Sequence, residues 1–371
     1  MQLPFAGGIS GAARPYSSIL RRSPTPLIFL IVVALSVIFI YLAAATILPT
    51  KSSFTQWNTS SLLIVPAVDP LCSVDLDNEE VRLEIVLKEA VMEDKTVILT
   101  TLNAAWASTD SIIDLFIESF QIGDGTRWLL DHLVIIAFDK KAYLRCTFLH
   151  KHCFALTTTG VDFSGEKSFM SDGYLKMMWR RIDFLRIVLE MGFNFIFTDA
   201  DVMWFRNPFP HFFPEGDFQI ACDKFIGDHL DRNNIPNGGF SFVKSNNRTI
   251  EFYKFWYSSR EKHPGYHDQD VLNIIKFDPL VDELGLKMRF LSTTFFGGIC
   301  EPSGNFNVVC TMHANCCVGL HRKINDIRVM LDDWRRYMAL PPTLKNLRLP
   351  LWRVPQKCSL SPVHQQILLG D

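Results

Sequence analysis

Short apolar runs alternate with longer amphipathic stretches along the chain from Lys95 onward. The runs at residues 97–99 and 133–138 are typical of buried strands, whereas residues 111–120 and 143–150 have the spacing of amphipathic helices. This βαβα order predicts an α/β fold with a mainly parallel, Rossmann-like sheet flanked by helices. Ligands of such sheets gather at the carboxyl ends of the strands, so we expect the site residues to follow strands.

A long apolar run without charged residues occupies residues 27–48. As a helix, this run is long enough to cross a hydrocarbon core of about 30 Å. Three arginines precede the run and one lysine follows it closely, which places the N-terminus in the cytosol and the bulk of the chain in a lumen. A cleaved signal peptide is the alternative, because three consecutive alanines near the end of the run offer a cleavage site. We favour the membrane anchor.

The rest of the chain divides by composition. The segment before the first predicted strand mixes Ser, Thr, Pro and charged residues, as a stem does, and residues 79–90 within it have a helical pattern. The last segment is rich in Pro and Leu and is either a packed strap or a loose tail. The predicted parts are a cytosolic tail (1–26), a transmembrane helix (27–48), a stem (49–94), a catalytic domain (95–340) and a C-terminal extension (341–371).

Charge is nearly balanced, with 37 Lys and Arg against 39 Asp and Glu and a net charge of −2. No basic field is available to hold a nucleic-acid backbone, so we expect no nucleic-acid partner.

Nine cysteines occur without the repeated CxxC pairs of a zinc finger. In an oxidising lumen we therefore expect disulfides, with the adjacent Cys316 and Cys317 as disulfide partners. The odd total leaves one thiol free or paired between chains. Asn58 and Asn247 begin N-glycosylation tripeptides, which agree with a lumenal location.

Two carboxylates, Asp199 and Asp201, directly follow the predicted strand at residues 195–198. An Asp-x-Asp pair at a strand end suits a hard cation that keeps open positions for the phosphates of a substrate. Alone the tripeptide is a weak signal, because aspartates at strand ends are commonly solvated turn residues or helix caps.

Further polar residues stand around this pair in the sequence. Lys176 and Arg180 recur at helical spacing within residues 171–192 and form either a basic edge beside the carboxylates or an ordinary solvated face. Gly238 and Gly239 precede an apolar strand, where they either let a ligand approach the backbone closely or make a plain turn.

A second acidic segment, Asp268-Gln269-Asp270, opens a predicted helix, and Asp268 could cap its start. Asp270 and Asn273 of this helix are three residues apart and therefore share a face, and a carboxylate and an amide presented together could stabilise positive charge that develops at the anomeric carbon of a sugar. His313 is expected just past a strand at residues 308–309, where a neutral imidazole could serve as a third metal ligand; an isolated histidine is more often a core or surface residue.

Taken together, four ordered motifs resemble a known family. They are Phe197-Thr198-Asp199-Ala200-Asp201-Val202-Met203-Trp204, Asn237-Gly238-Gly239-Phe240, His267-Asp268-Gln269-Asp270 and His313-Ala314-Asn315-Cys316-Cys317. Over about residues 96–338 the chain resembles the plant nucleotide-diphospho-sugar transferase family, glycosyltransferase family 77. The resemblance implies a GT-A fold, a type II Golgi membrane topology, UDP-xylose, UDP-arabinose or UDP-galactose as donors, and retention of anomeric configuration.

The resemblance also implies residue roles. Asp199, Asp201 and His313 would hold Mn²⁺ (or Mg²⁺). The donor sugar would be lined by Asn237, Gly238 and Gly239, and would face Asp268, Gln269 and Asp270. A glycine and a lysine that follow the metal-binding histidine contact the diphosphate in the relatives, and the nearest candidates, at longer spacing, are Gly319 and Lys323. The first strand of such folds ends beside the nucleotide base, which nominates Thr100, Thr101 and Asn103.

The sequence thus predicts a metal-dependent retaining glycosyltransferase that uses a UDP-sugar donor and a cell-wall polysaccharide or glycoprotein acceptor in the Golgi lumen, alone or as a homo- or hetero-oligomer. One alternative is a catalytically inactive lumenal carbohydrate-binding or scaffold protein with the same fold. Another is a divalent-metal glycosidase or phosphodiesterase, which would require a water-activating base opposite the leaving group.

Overall fold

The computed structural model describes residues 78–156, 158, 160–345 and 351–358. The predicted tail, the predicted transmembrane helix and Asn58 lie outside these residues. Within them, no helix combines the length and the hydropathy needed to cross a bilayer.

A seven-stranded sheet forms the centre of the fold, and its strand order is β3-β2-β1-β4-β7-β6-β8. Strand β7 runs antiparallel to both of its neighbours, β4 and β6, whereas the other strand pairs of this sheet are parallel. The mainly parallel sheet predicted from the sequence is therefore confirmed. The strands are β1 (Thr96–Leu102), β2 (Leu133–Ala137), β3 (Cys153–Ala155), β4 (Asn194–Thr198), β5 (Val202–Trp204), β6 (Phe218–Lys224), β7 (Ile235–Val243), β8 (Met288–Phe290), β9 (Phe296–Gly298) and β10 (Thr311–His313).

Helices connect the strands, and several begin with a side-chain cap. Asp139 accepts hydrogen bonds from two backbone N–H groups at the start of α3, and Asn246 and Thr249 form a capping box at the start of α5. The helices are α1 (Glu79–Ala90), α2 (Ile112–Ile122), α3 (Lys140–Leu149), α4 (Asp172–Glu190), α5 (Asn247–Ser259), α6 (Asp268–Ile275), α7 (Pro279–Glu283), α8 (Leu320–Met338) and α9 (Pro342–Lys345), with short 3-10 helices at Arg127–His132 and Phe209–His211. The helices expected at residues 111–120, 143–150 and 171–192 are present.

Two apolar cores lie on the two faces of the main sheet, because successive strand side chains point to opposite faces. Ile98 belongs to the core covered by α2 and α8, whereas Val97 and Leu99 belong to the core covered by α1, α4, α5 and α6. Helix α1 lies in the segment predicted as a stem, and it buries Leu83 and Leu87 in the second core. The packed unit therefore includes α1.

A smaller sheet, β5-β10-β9, places the third predicted metal ligand. In the antiparallel pairing of β5 with β10, His313 is opposite Val202, the residue that follows Asp201. His313 lies at the end of β10, and residue 308 lies in a turn. The strand expected at residues 308–309 lies instead at residues 311–313, three to four residues later, because β5 and β9 supply its partners there.

The described part of the C-terminal extension, residues 351–358, is a packed strap. Trp352 stacks on Phe306 with ring centroids 4.0 Å apart. The carboxylate of Asp326 on α8 accepts hydrogen bonds from the backbone N–H groups of residues 356–358. A disulfide from Cys358 to Cys317 fastens the end of the strap.

Disulfides account for most of the described cysteines, as predicted. The pairs are Cys146–Cys153, Cys300–Cys316 and Cys317–Cys358. Cys222 and Cys310 are buried and unpaired, so the described residues alone contain two free thiols rather than one.

Candidate functional site

The Asp-x-Asp pair lies in the connection from β4 to β5, where two other strands fix its backbone. The N–H of Asp199 donates to the carbonyl oxygen of Gly239 on β7 at 2.7 Å, and the N–H of Ala314 donates to the carbonyl oxygen of Asp201 at 3.0 Å. The polar residues expected after this strand therefore lie at its carboxyl end, where the main sheet meets the smaller one.

Asp199, Asp201 and His313 present ligand atoms that all lie within 4.8 Å of one another. His313 Nε2 lies 3.1 Å from Asp201 Oδ1, and the Asp199 side chain keeps a quarter of its surface exposed. Two carboxylates and an imidazole, buried on one side and open on the other, fit a divalent cation such as Mn²⁺ or Mg²⁺ that completes its coordination with ligand oxygens.

The neighbouring charges shift the pKa values of the two carboxylates in opposite directions. Burial opposes ionisation of Asp201, but the ammonium of Lys323 and the imidazole of His313 outweigh it and hold the pKa of Asp201 well below its usual range. Burial raises the pKa of Asp199, and Arg181 offsets this only in part. Lys323, predicted from the resemblance to contact the diphosphate, donates to Asp201 Oδ2 and to the carbonyl oxygen of Ala314. The structure thus brings Lys323 into the site despite its longer spacing from His313.

Gly239 makes room for the three ligands. A Cβ at this position would lie 2.4 Å from His313 Cε1 and 2.7 Å from Asp199 Oδ2, which are distances that real Cβ atoms essentially never show. Gly238 and Gly239 lie within β7 and not in a turn before it, so the alternative of a plain turn is wrong. The atoms that approach Gly239 closely in the structure are site side chains, and close approach of a ligand stays a prediction.

The basic group beside the carboxylates is Arg181, which was not predicted as a site residue. Its guanidinium donates to Asp199 Oδ1 at 2.9 Å and to Asp268 Oδ2 at 2.6 Å, and it lies 4.9 Å from the ring centroid of Phe197. The side chains of Lys176 and Arg180, which were predicted to form this edge, form ion pairs with Asp172 and Asp183 on their own helix. The reason is that α4 turns position 181, not 176 or 180, toward the sheet.

Asp268 is fully buried and does not cap α6, in contrast to the expectation from sequence. Besides Arg181 it meets His267, whose Nε2 lies 2.9 Å from Asp268 Oδ1 and 2.9 Å from the hydroxyl of Tyr174. Burial alone would raise the pKa of Asp268, yet Arg181 and His267 outweigh burial and hold that pKa well below its usual range. Asp270, two residues further, is exposed to solvent.

A buried carboxylate, Asp223 at the end of β6, collects three side-chain amides. It accepts hydrogen bonds from Asn237 at 2.8 Å, Asn315 at 2.7 Å and Gln269 at 2.9 Å. The oxygen of each amide in turn accepts a backbone N–H, and that of Gln269 accepts from Gly238 at 2.9 Å. We call these four residues the amide cluster. It locks Gln269 and Asn237, both predicted site residues, into single orientations.

Three remaining predictions concern the end of β1. Thr100 is fully buried, and the Asn103 amide donates to the carbonyl oxygens of Phe163 and Gly165, which ties the loop before α4 to the sheet. The Asn103 amide is thus engaged by the protein, whereas Thr101 is half-buried at the same edge.

Two further predicted positions lie at helix starts. Gly319 precedes α8 with a positive φ of 98°, a conformation that favours glycine, and Asn247 is exposed at the first residue of α5. Glycosylation at Asn247 stays a prediction.

Sequence reasoning missed Arg181 and Asp223, although each left a signal. Arg181 occupies the buried stripe of α4 with Met178 and Leu185, and a charged residue on an apolar helix face requires an ion-pair partner. Asp223 lies at the carboxyl end of the apolar strand β6, so the rule that site residues gather at the ends of strands applies to it as well.

The candidate site suits a nucleotide-sugar transferase, and comparisons with known proteins identify this class. Residues 128–327 match the model of the nucleotide-diphospho-sugar transferase family. An uncharacterised protein of Arabidopsis thaliana is 52% identical over 274 residues, which cover 74% of this chain and 72% of that protein. The chain is therefore a glycosyltransferase, and it belongs to the nucleotide-diphospho-sugar transferase family.

More distant relatives carry names. The Arabidopsis thaliana protein UDP-D-xylose:L-fucose alpha-1,3-D-xylosyltransferase MGP4 is 22% identical over 57% of this chain and 65% of its own length. UDP-galactose:fucoside alpha-3-galactosyltransferase of Dictyostelium discoideum is 39% identical over 18% of this chain and 10% of its own. Among solved structures, apo mouse xyloside xylosyltransferase 1 aligns with a TM-score of 0.38 at 13% identity, over 60% of this chain and 98% of that one.

Proposed function

We propose that this chain is a metal-dependent, retaining glycosyltransferase that moves xylose, arabinose or galactose from a UDP-sugar to a cell-wall polysaccharide or glycoprotein. The observation that carries the proposal is the convergence of Asp199, Asp201 and His313 at the carboxyl end of β4. Membership of the family supports nucleotide-sugar chemistry, and the names of two relatives include UDP-xylose and UDP-galactose.

The metal would be held by Asp199, Asp201 and His313. When bound, Mn²⁺ or Mg²⁺ would neutralise charge that develops on the diphosphate leaving group. The Lys323 ammonium, which donates to Asp201, would supply a fixed positive charge for the same diphosphate. Because α8 begins just before Lys323, small shifts of that helix would move this ammonium relative to the carboxylates.

Arg181 positions both acidic segments at once. By pairing with Asp199 and Asp268, it keeps a metal carboxylate and the donor-face segment in one fixed relation. The amide cluster does the same for Gln269 and Asn237. Hydrogen-bonding groups fixed before the substrate arrives stabilise developing charge without reorganisation during the reaction.

Attack from the leaving-group side is the mechanism that the burial of Asp268 supports. The bond between the anomeric carbon and the β-phosphate oxygen breaks, and its electron pair stays with the phosphate. The acceptor oxygen forms the new bond on the same face, and its proton passes to the departing phosphate oxygen. Double displacement would require Asp268 or Asp270 as nucleophile. Asp268 is engaged by Arg181 and has no exposed surface, which leaves the exposed Asp270 as the nucleophile of that alternative.

For location we propose the Golgi membrane, with residues 27–48 as a type II anchor and the catalytic domain in the lumen. The three disulfides of the described residues support an oxidising compartment. Protease protection of the sealed compartment, combined with loss of mass at Asn58 or Asn247 after glycosidase treatment, tests this topology.

A panel of UDP-sugars, each with Mn²⁺, Mg²⁺ or chelator and with or without a glycan acceptor, tests the activity. We expect metal-dependent release of UDP from one donor, faster with acceptor, and product with the anomeric configuration of the donor. Binding without turnover of any donor would favour the inactive carbohydrate-binding protein. Glycan cleavage without a nucleotide-sugar would favour the hydrolase.

The matched variants are Asp201→Asn and Glu84→Gln, which make the same chemical change. Asp201→Asn should abolish metal-dependent turnover, whereas Glu84→Gln, on the exposed face of α1, should not change it. Asp201 is buried, so its replacement also alters stability. Melting curves of both variants separate that effect, and full activity in a folded Asp201→Asn protein would contradict the metal-site assignment.

A further inference from the structure

A groove of about 640 Å³ lies at the amino-terminal edge of the main sheet. It is formed by the end of α2 and the 3-10 helix Arg127–His132, which leads directly into β2. Because β1, β2 and β4 are parallel, this groove lies at the edge where these strands begin, whereas Asp199 and Asp201 follow the end of β4. The groove is therefore separate from the site described above. We call it the Trp128 groove.

Trp128 provides a fixed aromatic surface in the groove. Its side chain is 47% exposed, and its indole N–H donates to the carbonyl oxygen of Gly125 at 3.0 Å. The ring also packs against His132 and Phe209, with centroids 5.6 and 6.5 Å away. A large aromatic ring that is held in place on one side and open on the other is preorganised to stack on a ligand.

Polar groups flank the ring on exposed positions. Gln121 and Arg127 are exposed, and within the part of the chain that the structure describes their side chains form no hydrogen bond or ion pair. Asp131 pairs with Lys151 at 3.0 Å, and the hydrogen bond from Lys151 holds the pKa of Asp131 below its usual range. The groove thus offers a carboxamide, a guanidinium donor and an ionised carboxylate acceptor around one aromatic face.

The balance of these charges narrows the ligand class. The lining carries one guanidinium and one carboxylate, and Lys151 pairs with that carboxylate, so these residues do not form the cluster of cations that holds an anionic membrane. A neutral, polyhydroxylated ring fits both the exposed indole and the mixed polar groups around it. Its C–H face carries slight positive charge, which matches the negative face of the indole, and its hydroxyls match the carboxylate, amide and guanidinium. The volume lies within the roughly 300–1,000 Å³ of ligand pockets.

We propose that the Trp128 groove is a second saccharide-binding site that holds a neutral part of the acceptor glycan away from the reacting hydroxyl. The register of the sheet places Leu133, where β2 begins, level with Ile196 of β4. Asp199 lies three residues further along the strand direction, on the order of 10 Å at about 3.3 Å per residue, and the groove residues precede Leu133. Only an extended acceptor reaches both. The proposal rests on the proposed function in one respect, that the acceptor is a glycan chain.

Binding to the full-length chain tests the groove without requiring transfer. With 5-fluorotryptophan incorporated, the Trp128 resonance is assigned by its absence in Trp128→Phe, and neutral xylo-, arabino-, galacto- and cello-tetraoses are titrated in turn. We expect one of them to shift this resonance saturably, and we expect Trp128→Ala to weaken its binding in calorimetry by about tenfold or more. Phe148→Ala, which removes an exposed aromatic side chain from α3, is the matched control and should bind as the parent protein does.

Arg127→Ala and Asp131→Asn change exposed side chains and leave the indole of Trp128 in place. Each should weaken binding of the same tetraose. Donor hydrolysis should be unchanged in all of them, so loss of hydrolysis in the parent protein would count against the proposed function and not against the groove. Binding that is equal in Trp128→Ala and the parent, no binding of any tetraose, or Trp128-dependent binding of anionic vesicles instead would each overturn the proposal.

Discussion

Arg181 shows how one buried side chain connects two acidic segments that are distant in sequence. Its side chain is 3% exposed and meets Asp199 after β4 and Asp268 at the start of α6. Removing one partner of a buried ion pair leaves the others buried and uncompensated, and this is much more costly than losing a surface pair. Arg181 is therefore both a stability determinant and a positioning residue.

Arg181→Met should lower the free energy of unfolding by about 3–5 kcal/mol, because Asp268 loses its cation, and should abolish donor hydrolysis. Arg181→Lys should retain more stability but little activity, because an ammonium cannot donate in two directions as the planar guanidinium does. Urea unfolding and UDP release measure the two effects.

The matched control is Arg186→Met on the same helix, where the pairs with Asp183 and Glu190 are partly exposed and worth about 0.5 kcal/mol. A loss of stability in Arg181→Met no larger than in this control would contradict the role assigned to the buried pair.

Lys276 supplies a pH-dependent contribution to stability. Burial lowers its pKa from 10.5 to about 8, while its ammonium donates to the carbonyl oxygen of Asn234 and to the side chain of Asn273. Between pH 8 and pH 10.5 the unfolded chain binds more protons than the folded one, so the free energy of unfolding rises with pH across this window. Lys276→Met should remove that rise.

Urea unfolding of the two proteins in steps between pH 8 and pH 10.5 gives the comparison. All other titrating groups are shared, so the difference between the two curves isolates Lys276. The assignment is wrong if the curves stay parallel throughout.

At the scale of elements, β7 determines how closely the candidate metal ligands can approach one another, because Gly239 lies against two of them. Gly239→Ala would place a methyl group against His313 and Asp199 and displace them. Displacement of catalytic groups by about 1 Å can cost on the order of 100-fold in rate, and we expect a loss of that size in metal-dependent donor hydrolysis. The Mn²⁺ concentration for half-maximal activity should rise as well.

Gly304→Ala is the control for this substitution, since a Cβ there has no neighbour within 4 Å. It should leave both the rate and the metal requirement unchanged. Normal metal dependence in Gly239→Ala would show that the ligands tolerate the added methyl group and that their geometry is not set by β7.

The elements also show what the sequence could predict. Apolar runs identified β1, β2 and β4, and helical spacing identified α2, α3 and α4, because these elements bury continuous faces in the two cores. The carboxylates after β4 were found because they end a buried strand. The rotation of α4 about its axis was not predicted, so the basic edge was assigned to Lys176 and Arg180 instead of Arg181.

Other features depend on contacts between segments that are far apart in the chain. The amide cluster joins the ends of β6 and β10 with β7 and α6, and no local pattern indicates that three amides meet one carboxylate. The short strands β5, β9 and β10 exist because they pair with one another, so periodicity alone placed the strand before His313 too early.

At the scale of the whole molecule, disulfides fasten the site to its surroundings. Cys317–Cys358 closes a separation of 41 residues, whereas Cys146–Cys153 closes one of 7. If each acts by restricting the unfolded chain, replacing the first pair by alanines should destabilise the protein by about 1.5 kcal/mol more than replacing the second. Thermal unfolding of the two double variants provides the measurement, and the reverse order would contradict this account.

The adjacent Cys316 and Cys317 follow His313 by three and four residues. Cys316 pairs with Cys300, which precedes it in the chain, and Cys317 pairs with Cys358, which follows it. Four cysteines allow three pairings, and a slip by one residue exchanges the two partners. Until exchange by attacking thiolates has selected the native pairing, Cys300, which follows β9, and Cys358 of the strap compete for the same two sulfurs. Maturation of the enzyme therefore requires mispaired disulfides to be corrected. The yield of active protein from a cell should depend more on the cell's supply of disulfide isomerase than on the rate at which the protein is synthesised.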